Sequence, residues 1–326
     1  MTQVNFNVTP ASAQLDTPVL FLIFNRPNVT KRVFEQIKLI KPKYFYVAAD
    51  GPRSNHPDDK KNCRETRKII DQIDWDCELK TLYRETNIGC GSAVRSAISW
   101  FFENVEAGII LEDDCLPSLS FFPYCEELLA KYKNEDVVKF IGGNNFQNNI
   151  KRGEGSYYFS RYPGSWGWAT WRRGWKLFEN DISDSTSLIK SGKLDQVFNT
   201  LQEKNHWMKS LANAQKQQDN IWDFQFYYSI WKNNGICITP AQNLVINLGF
   251  FDKGTHYFLK DSTKTNVKNE KMQFPLKHPE AIVVNREADE YMFLHFYSHS
   301  KQRAMRLLRE NNLQTIFTYI KKRFFS

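Results

Sequence analysis

The residues best suited to do chemistry are Glu112, Asp113 and Asp114, three consecutive carboxylates that close the apolar run Gly108-Ile109-Ile110-Leu111. A short apolar run of this kind reads as a buried strand, so the acids stand where it leaves the core. Adjacent carboxylates repel one another, and keeping them ionised beside a low-dielectric interior requires a compensating cation. Their hard oxygen ligands favour Mg²⁺, Mn²⁺ or Ca²⁺. A solvated acidic turn after a strand is the plain alternative, and spacing alone weighs the two evenly.

The elements around this strand indicate what positions it. Residues 19–24 form a continuous apolar run, Val29, Val33, Ile37 and Ile40 recur at helical spacing, and residues 44–49 form a second run. That order predicts a βαβ unit with parallel strands. The second run ends at Asp50-Gly51-Pro52, a turn that carries a carboxylate at the carboxyl edge of the sheet, where open α/β folds bind ligands. Asp50 is therefore a candidate ligand residue, with turn chemistry as its alternative. Residues 79–83 predict a third strand, followed by Asn87-Ile88-Gly89-Cys90-Gly91-Ser92 and a helix with Ser92 as N-cap. A glycine turn feeding a helix N-terminus can hold an anion, although this one matches neither a dinucleotide nor a Walker loop. The acid-tipped strand comes next, then a helix carrying Phe121, Cys125, Leu128 and Tyr132, and a strand near 137–141. Four or five parallel strands are thus expected before residue 145.

Beyond residue 145 the pattern changes to short strands, loops and aromatic clusters. Tyr162 to Trp168 and Trp222 are expected to shape a cleft, with a packed corner of the core as the alternative. Residues 188–231 are helix-like, with Asp219 as an N-cap and Trp222, Phe226 and Ile230 on one face. A strand pair is expected at 236–239 and 244–246. The 326 residues suit one elaborated domain with an appendage. Met1 to Leu20 carry no basic start followed by an apolar run, which points to the cytoplasm. The six Cys show no C-x-x-C pairing and suggest reduced thiols. Of the formal charge of +8, most lies between Lys301 and Ser326, where four Arg and three Lys face one Glu. Met305, Leu308, Leu313, Ile316, Phe317, Ile320 and Phe324 lie among those cations, so this tail is expected to attach to an anionic membrane surface, a docked surface helix being the alternative. No nucleic-acid module is recognisable.

Taken in order, these pieces resemble the nucleotide-sugar glycosyltransferases of GT-A fold, especially the N-acetylglucosaminyltransferase I family and bacterial relatives. The similarity spans about residues 15 to 260. It is carried by Phe24-Asn25-Arg26-Pro27, Asp50-Gly51-Pro52, Asn87-Ile88-Gly89, Leu111-Glu112-Asp113-Asp114, Pro163-Gly164-Ser165-Trp166-Gly167-Trp168, Trp222-Asp223 and Lys253-Gly254-Thr255-His256. The resemblance implies a Rossmann-like α/β domain over 1–265, with a mostly parallel central sheet flanked by helices. Its nucleotide-binding half would cover about 15–145 and its acceptor half about 146–265, with a C-terminal helical extension over 266–326.

The resemblance also implies roles. Asp114 would be the direct ligand of Mn²⁺ or Mg²⁺, with His256 closing over the metal or diphosphate. Asp113 would approach the donor ribose or sugar, and Glu112 the sugar hydroxyls or nearby backbone. Arg26 and Asp50 would border the nucleotide base, with Arg84 and Asn87 near it. Lys253 would assist the diphosphate, as Arg172 and Arg173 would unless they are solvated surface charge. The family shows two adjacent acids after a Trp, whereas this chain has Trp222-Asp223-Phe224, so the catalytic base is Asp223 or, one turn earlier, Asp219. The implied donor is a nucleotide-diphosphate sugar such as UDP-GlcNAc. The cytoplasmic origin and the basic tail suggest, as acceptor and partner, a bacterial surface-polysaccharide or lipid-linked glycan intermediate met at the inner face of the cell membrane. Rival readings are a sugar-phosphate nucleotidyltransferase, which would want a Gly- and Lys-rich loop after the first strand, and a noncatalytic carbohydrate-binding protein.

Overall fold

The strands β1 (Val19–Ile23), β2 (Tyr44–Ala49) and β4 (Ala107–Glu112) are buried along almost their whole length. Continuous apolar runs of this kind belong in a parallel sheet covered on both faces. In the computed structural model, residues 14–250 and 269–298 are described. They form an eight-stranded sheet completed by β3 (Glu78–Tyr83), β6 (Val138–Gly142), β7 (Tyr157–Ser160), β8 (Trp168–Trp171) and β9 (Ile236–Pro240). The order is β3-β2-β1-β4-β8-β6-β9-β7. β3, β2, β1 and β4 run parallel, β8 inserts antiparallel between β4 and β6, and β9 is parallel to β6 with β7 antiparallel at the edge. The mostly parallel, helix-flanked α/β sheet expected from the sequence is present, with five of its six parallel strands before residue 145 and β9 after it.

Alternate residues of β1 feed opposite faces of the sheet, as a period of two requires. Val19, Phe21 and Ile23 pack with Val33, Phe34 and Ile37 of α1 (Pro27–Ile40) and with Phe121 and Leu128 of α4 (Phe121–Lys131). Leu20 and Leu22 pack with Val94, Ala97, Ile98 and Phe101 of α3 (Cys90–Asn104) and with Phe226 and Ile230 of α8 (Asp223–Lys232). A third cluster joins α6 (Ser185–Lys190) to α7 (Leu201–Lys216) through Ile189, Trp207 and Leu211. Thr200 and Glu203 start α7 with a reciprocal capping box.

Several local expectations are corrected. α3 begins at Cys90 with Gly89 as its N-cap, so Ser92 lies inside the first turn. α8 begins at Asp223 with Trp222 at the N-cap, and Asp219 belongs to the preceding turn. The segments near 236–239 and 244–246 do not pair with each other: β9 joins the main sheet, while β10 (Val245–Asn247) pairs antiparallel with β5 (Cys115–Pro117). Tyr162, Trp168 and Trp222 are core residues at 2%, 0% and 4% exposure, not cleft walls. Trp168 is stacked between Phe140 and Trp222, with ring centroids 5.0 Å and 5.7 Å away, because β8 carries it into the middle of the sheet.

Residues of the expected extension return to this body. Met272 and Leu276 enter the core beside α4, and Asp289 on the helix Arg286–Met292 accepts hydrogen bonds from Ser160 Oγ at 2.5 Å and Arg161 N at 3.0 Å. Lys253, His256 and the basic tail after Ser298 lie outside the described residues.

Candidate active site

β4 delivers Glu112 to the carboxyl edge of the sheet, and Asp113 and Asp114 form the two-residue turn into β5. β10 fixes that turn from the other side. Asn247 pairs with Cys115, Leu248 N donates to Asp114 O at 2.7 Å, and Gly249 N donates to Asn247 Oδ1 at 2.8 Å. A Cβ on Gly249 would stand 2.7 Å from Asp114 Oδ2, so only glycine lets the backbone approach that carboxylate so closely.

The first cation at the triplet comes from the chain itself. Arg26, between β1 and α1, spans both aspartates: Nη2 pairs with Asp113 Oδ1, Nε lies 3.4 Å from Asp113 Oδ2, and Nη1 lies 3.1 Å from Asp114 Oδ2. Thr30 Oγ1 donates to Asp113 Oδ2 at 3.4 Å. Burial works against the Arg26 charge, but Asp113 and Asp114 outweigh it and raise its pKa. One guanidinium cannot balance three carboxylates. Burial, followed by the charges of Asp114, Asp113 and Asp223, pushes the Glu112 carboxyl well above its usual range.

Asp223, the first residue of α8, lies close enough to the triplet for its charge to act on Glu112. Phe224 N donates to its Oδ1 at 3.0 Å, yet burial pushes its pKa up to about 6. A carboxyl poised there can act as a general base near neutral pH. Cys90, the first residue of α3, is exposed, but surrounding protein and then Glu112 and Asp223 push its thiol up to about 12. β4, α3 and α8 therefore bring Glu112, Cys90 and Asp223 within electrostatic reach of one another.

The second ligand candidate, Asp50, is committed to the loop after β3. It accepts hydrogen bonds from Gly51 N at 2.9 Å, Asn87 Nδ2 at 2.9 Å and Ile88 N at 3.2 Å. Asn87 Nδ2 also donates to Gly51 O at 3.0 Å. Burial raises the Asp50 pKa against those bonds. Arg84 reaches Ser96 Oγ at 2.8 Å on α3. Arg172 and Arg173 stand at the opposite end of the sheet, because β8 pairs Trp171 with Ala107 at the start of β4. Both are occupied there, Arg172 with Glu106 and Arg173 with the carbonyls of Tyr132 and Val138. That geometry removes them from any diphosphate held by the triplet.

Arg53 and Asp59 were not singled out from the sequence, and Asn25 only as part of the Phe24–Pro27 motif. Asp59, in the first turn of α2 (Asp59–Arg67), accepts from Asn25 Nδ2 at 2.7 Å and Arg53 Nε at 2.6 Å, and the Arg53 guanidinium lies over the Phe24 ring at 5.4 Å. The Arg53 hydrogen bonds lower the Asp59 pKa to about 2. The only hint in the sequence was an acid-led helix start.

The donor set at Asp114 fits a hard divalent cation. Its carboxylate oxygens are hard donors in an acidic cluster that the Arg26 guanidinium does not fully neutralise. Among the described residues no three potential ligands converge to hold an ion unaided. A Mg²⁺ or Mn²⁺ ion characteristically rests on one or two carboxylates and completes its shell with substrate phosphates and water.

What fold and site define is a mostly parallel α/β protein with an acid-tipped central strand facing a buried carboxylate. No protein-family model matches the chain, and no curated protein matches it. Among solved structures, it is similar to the mannosyltransferase PcManGT from Pyrobaculum calidifontis in complex with GDP-Man and Mn²⁺, at 12% identity over 71% of this chain and 73% of that one, with a TM-score of 0.37. An apo UDP-glucose pyrophosphorylase is similar at 8% identity over 71% and 93%, with a TM-score of 0.35. Mouse xyloside xylosyltransferase 1 is similar at 10% identity over 65% and 80%, with a TM-score of 0.31.

Proposed function

We propose that the protein is an inverting, metal-dependent glycosyltransferase that moves a sugar from a nucleotide-diphosphate sugar to a hydroxyl of a glycan or lipid-linked acceptor. The observation that carries this reading is the convergence of the Glu112–Asp114 turn with Asp223, a carboxylate raised to about 6. Asp114, with His256 as its proposed partner, would hold Mn²⁺ or Mg²⁺. The ion supplies Lewis-acid stabilisation of the departing diphosphate.

The chain's own residues do the rest. Asp223 accepts the proton of the acceptor hydroxyl as that oxygen bonds to the anomeric carbon. The bond from that carbon to the phosphate oxygen breaks, and its electron pair leaves with the nucleoside diphosphate. A single base with no covalent intermediate inverts the anomeric centre. Arg26 orients Asp113 and Asp114, so that Asp113 and Glu112 can meet the ribose and sugar. Asp50, Asn87 and Arg84 would order the loop that borders the base, and Lys253 would assist the diphosphate. Asp223 is preferred to Asp219 as base because Asp223 acts on Glu112, whereas Asp219 is engaged on α3.

A nucleotidyltransferase is less well supported. α1 starts at Pro27, only a few residues after β1 ends at Ile23, which leaves little room for a glycine-rich phosphate loop. We place the acceptor in bacterial surface-polysaccharide synthesis, with the enzyme at the inner face of the cell membrane through its basic tail. Among the described residues no helix is long and apolar enough to cross a membrane. A thermal-shift panel of UDP-, GDP- and dTDP-sugars, with and without Mn²⁺, tests the reading. Stabilisation by one sugar nucleotide only when Mn²⁺ is present supports it; indifference to every sugar nucleotide would overturn it.

A further inference from the structure

The turn before α8 does more than connect two helices. Residues 217–222 leave α7 and press onto the N-terminus of α3, where Gly91 N donates to Asp219 O at 2.8 Å. Arg95 Nη1 donates to Gln218 O, Arg95 Nη2 lies 3.2 Å from Ser92 Oγ, and Ser92 Oγ lies 3.3 Å from Asp219 Oδ1. Asn180 Nδ2 holds the Gln218 side chain at 3.1 Å. The approach is so close that a Cβ on Gly91 would stand 2.6 Å from Gln218 O. The N-terminus of α3, a position that can hold an anion, is thus met by the chain's own carbonyl.

Four residues after Asp219 stands Asp223. Its other anchor is Trp222, buried at 4% exposure against Trp168. On the far side of the same contact, Gly89 N donates to Asn87 Oδ1 at 3.2 Å, and Asn87 holds Asp50. A continuous run of hydrogen bonds therefore joins the Asp50 loop, the start of α3 and the turn that carries the carboxylate.

We infer that Gly91 and Arg95 are positioning residues, which seat the Gln218–Asp219 turn on α3 and so set where Asp223 stands relative to the donor sugar. They touch neither substrate nor metal in this scheme. A displacement of about 1 Å at a reacting group costs on the order of 100-fold in rate. The inference rests on Asp223 being the base.

The test measures kcat and KM for the sugar nucleotide that the wild-type protein consumes, with nucleoside-diphosphate binding by calorimetry. Arg95→Ala and Gly91→Ala are each expected to lower kcat about 10- to 100-fold, with KM and nucleotide affinity within about twofold of wild type. Arg95→Lys, which keeps a donor to Gln218 O, is expected to recover most of kcat. Arg95→Ala remains informative if Gly91→Ala does not fold. Wild-type kcat in Arg95→Ala, or a loss that appears equally in KM and nucleotide affinity, would overturn the positioning role. Turnover by wild type together with full turnover by Asp223→Asn would instead overturn the underlying assignment of the base.

Discussion

Asp223→Asn separates a carboxylate kept for chemistry from one kept for stability. The native carboxyl has a pKa of about 6 against an ordinary value of 3.8, and burial is the cause. Its contribution to stability is therefore full below pH 3.8 and is lost as pH rises through about 6. A difference of about two units corresponds to about 3 kcal/mol. Solvent reaches the partly exposed group, which brings the expected effect to about 1–3 kcal/mol. Asparagine keeps the Oδ1 acceptor for Phe224 N and removes the charge that burial penalises. Asp223→Asn should therefore be more stable than wild type by about 1–3 kcal/mol at pH 8 and equal to it near pH 4. Urea unfolding of both proteins across that range gives the difference directly. A difference independent of pH, or a less stable variant at pH 8, would refute the reasoning. Stability gained as activity is lost is the expected exchange at a strained functional group.

The buried Asp59 has the opposite sign. Its pKa of about 2 makes its stabilisation full above pH 3.8 and lost as pH falls through about 2. Asp59→Asn should cost about 2 kcal/mol at pH 7, a penalty that shrinks towards pH 2, as denaturant unfolding against pH would record. Gly249→Ala places a methyl 2.7 Å from Asp114 Oδ2 and should both lower stability by about 1–3 kcal/mol and weaken Mn²⁺-dependent donor binding about tenfold or more. Calorimetric titration of donor with Mn²⁺ decides this, and wild-type affinity would count against a donor-binding role for Asp114.

β1, β2 and β4 were legible because they are buried on both faces and announce themselves as unbroken apolar runs, whereas the edge strand β3 is largely exposed. Trp222, Phe226 and Ile230 were likewise legible as one helical face. The aromatic segment was not, because Trp168 stacks in the core on partners such as Trp222, far away in the sequence. Arg172 and Arg173 were misplaced for a related reason. Only the antiparallel insertion of β8 beside β4 shows that they emerge at the opposite end of the sheet from Glu112. At the site, the carboxylates were legible from their abrupt arrival after an apolar strand. Their partners were not: Arg26 reaches Asp113 across 87 residues and Ser92 meets Asp219 across 127, and local pattern carries no information about such contacts.

The central claim is that Asp114 and Asp223 divide one transfer reaction between donor binding and proton removal. Its most direct test is the release of nucleoside diphosphate from the cognate sugar nucleotide, measured against Mn²⁺ for wild type, Asp114→Ala and Asp223→Asn. Wild type should release it only with the metal. Asp114→Ala should neither bind donor in a metal-dependent way nor release product, and Asp223→Asn should bind donor normally and release product at least about 100-fold more slowly. Metal-independent turnover, full activity in either variant, or pyrophosphate formed from a nucleoside triphosphate and a sugar phosphate would contradict it.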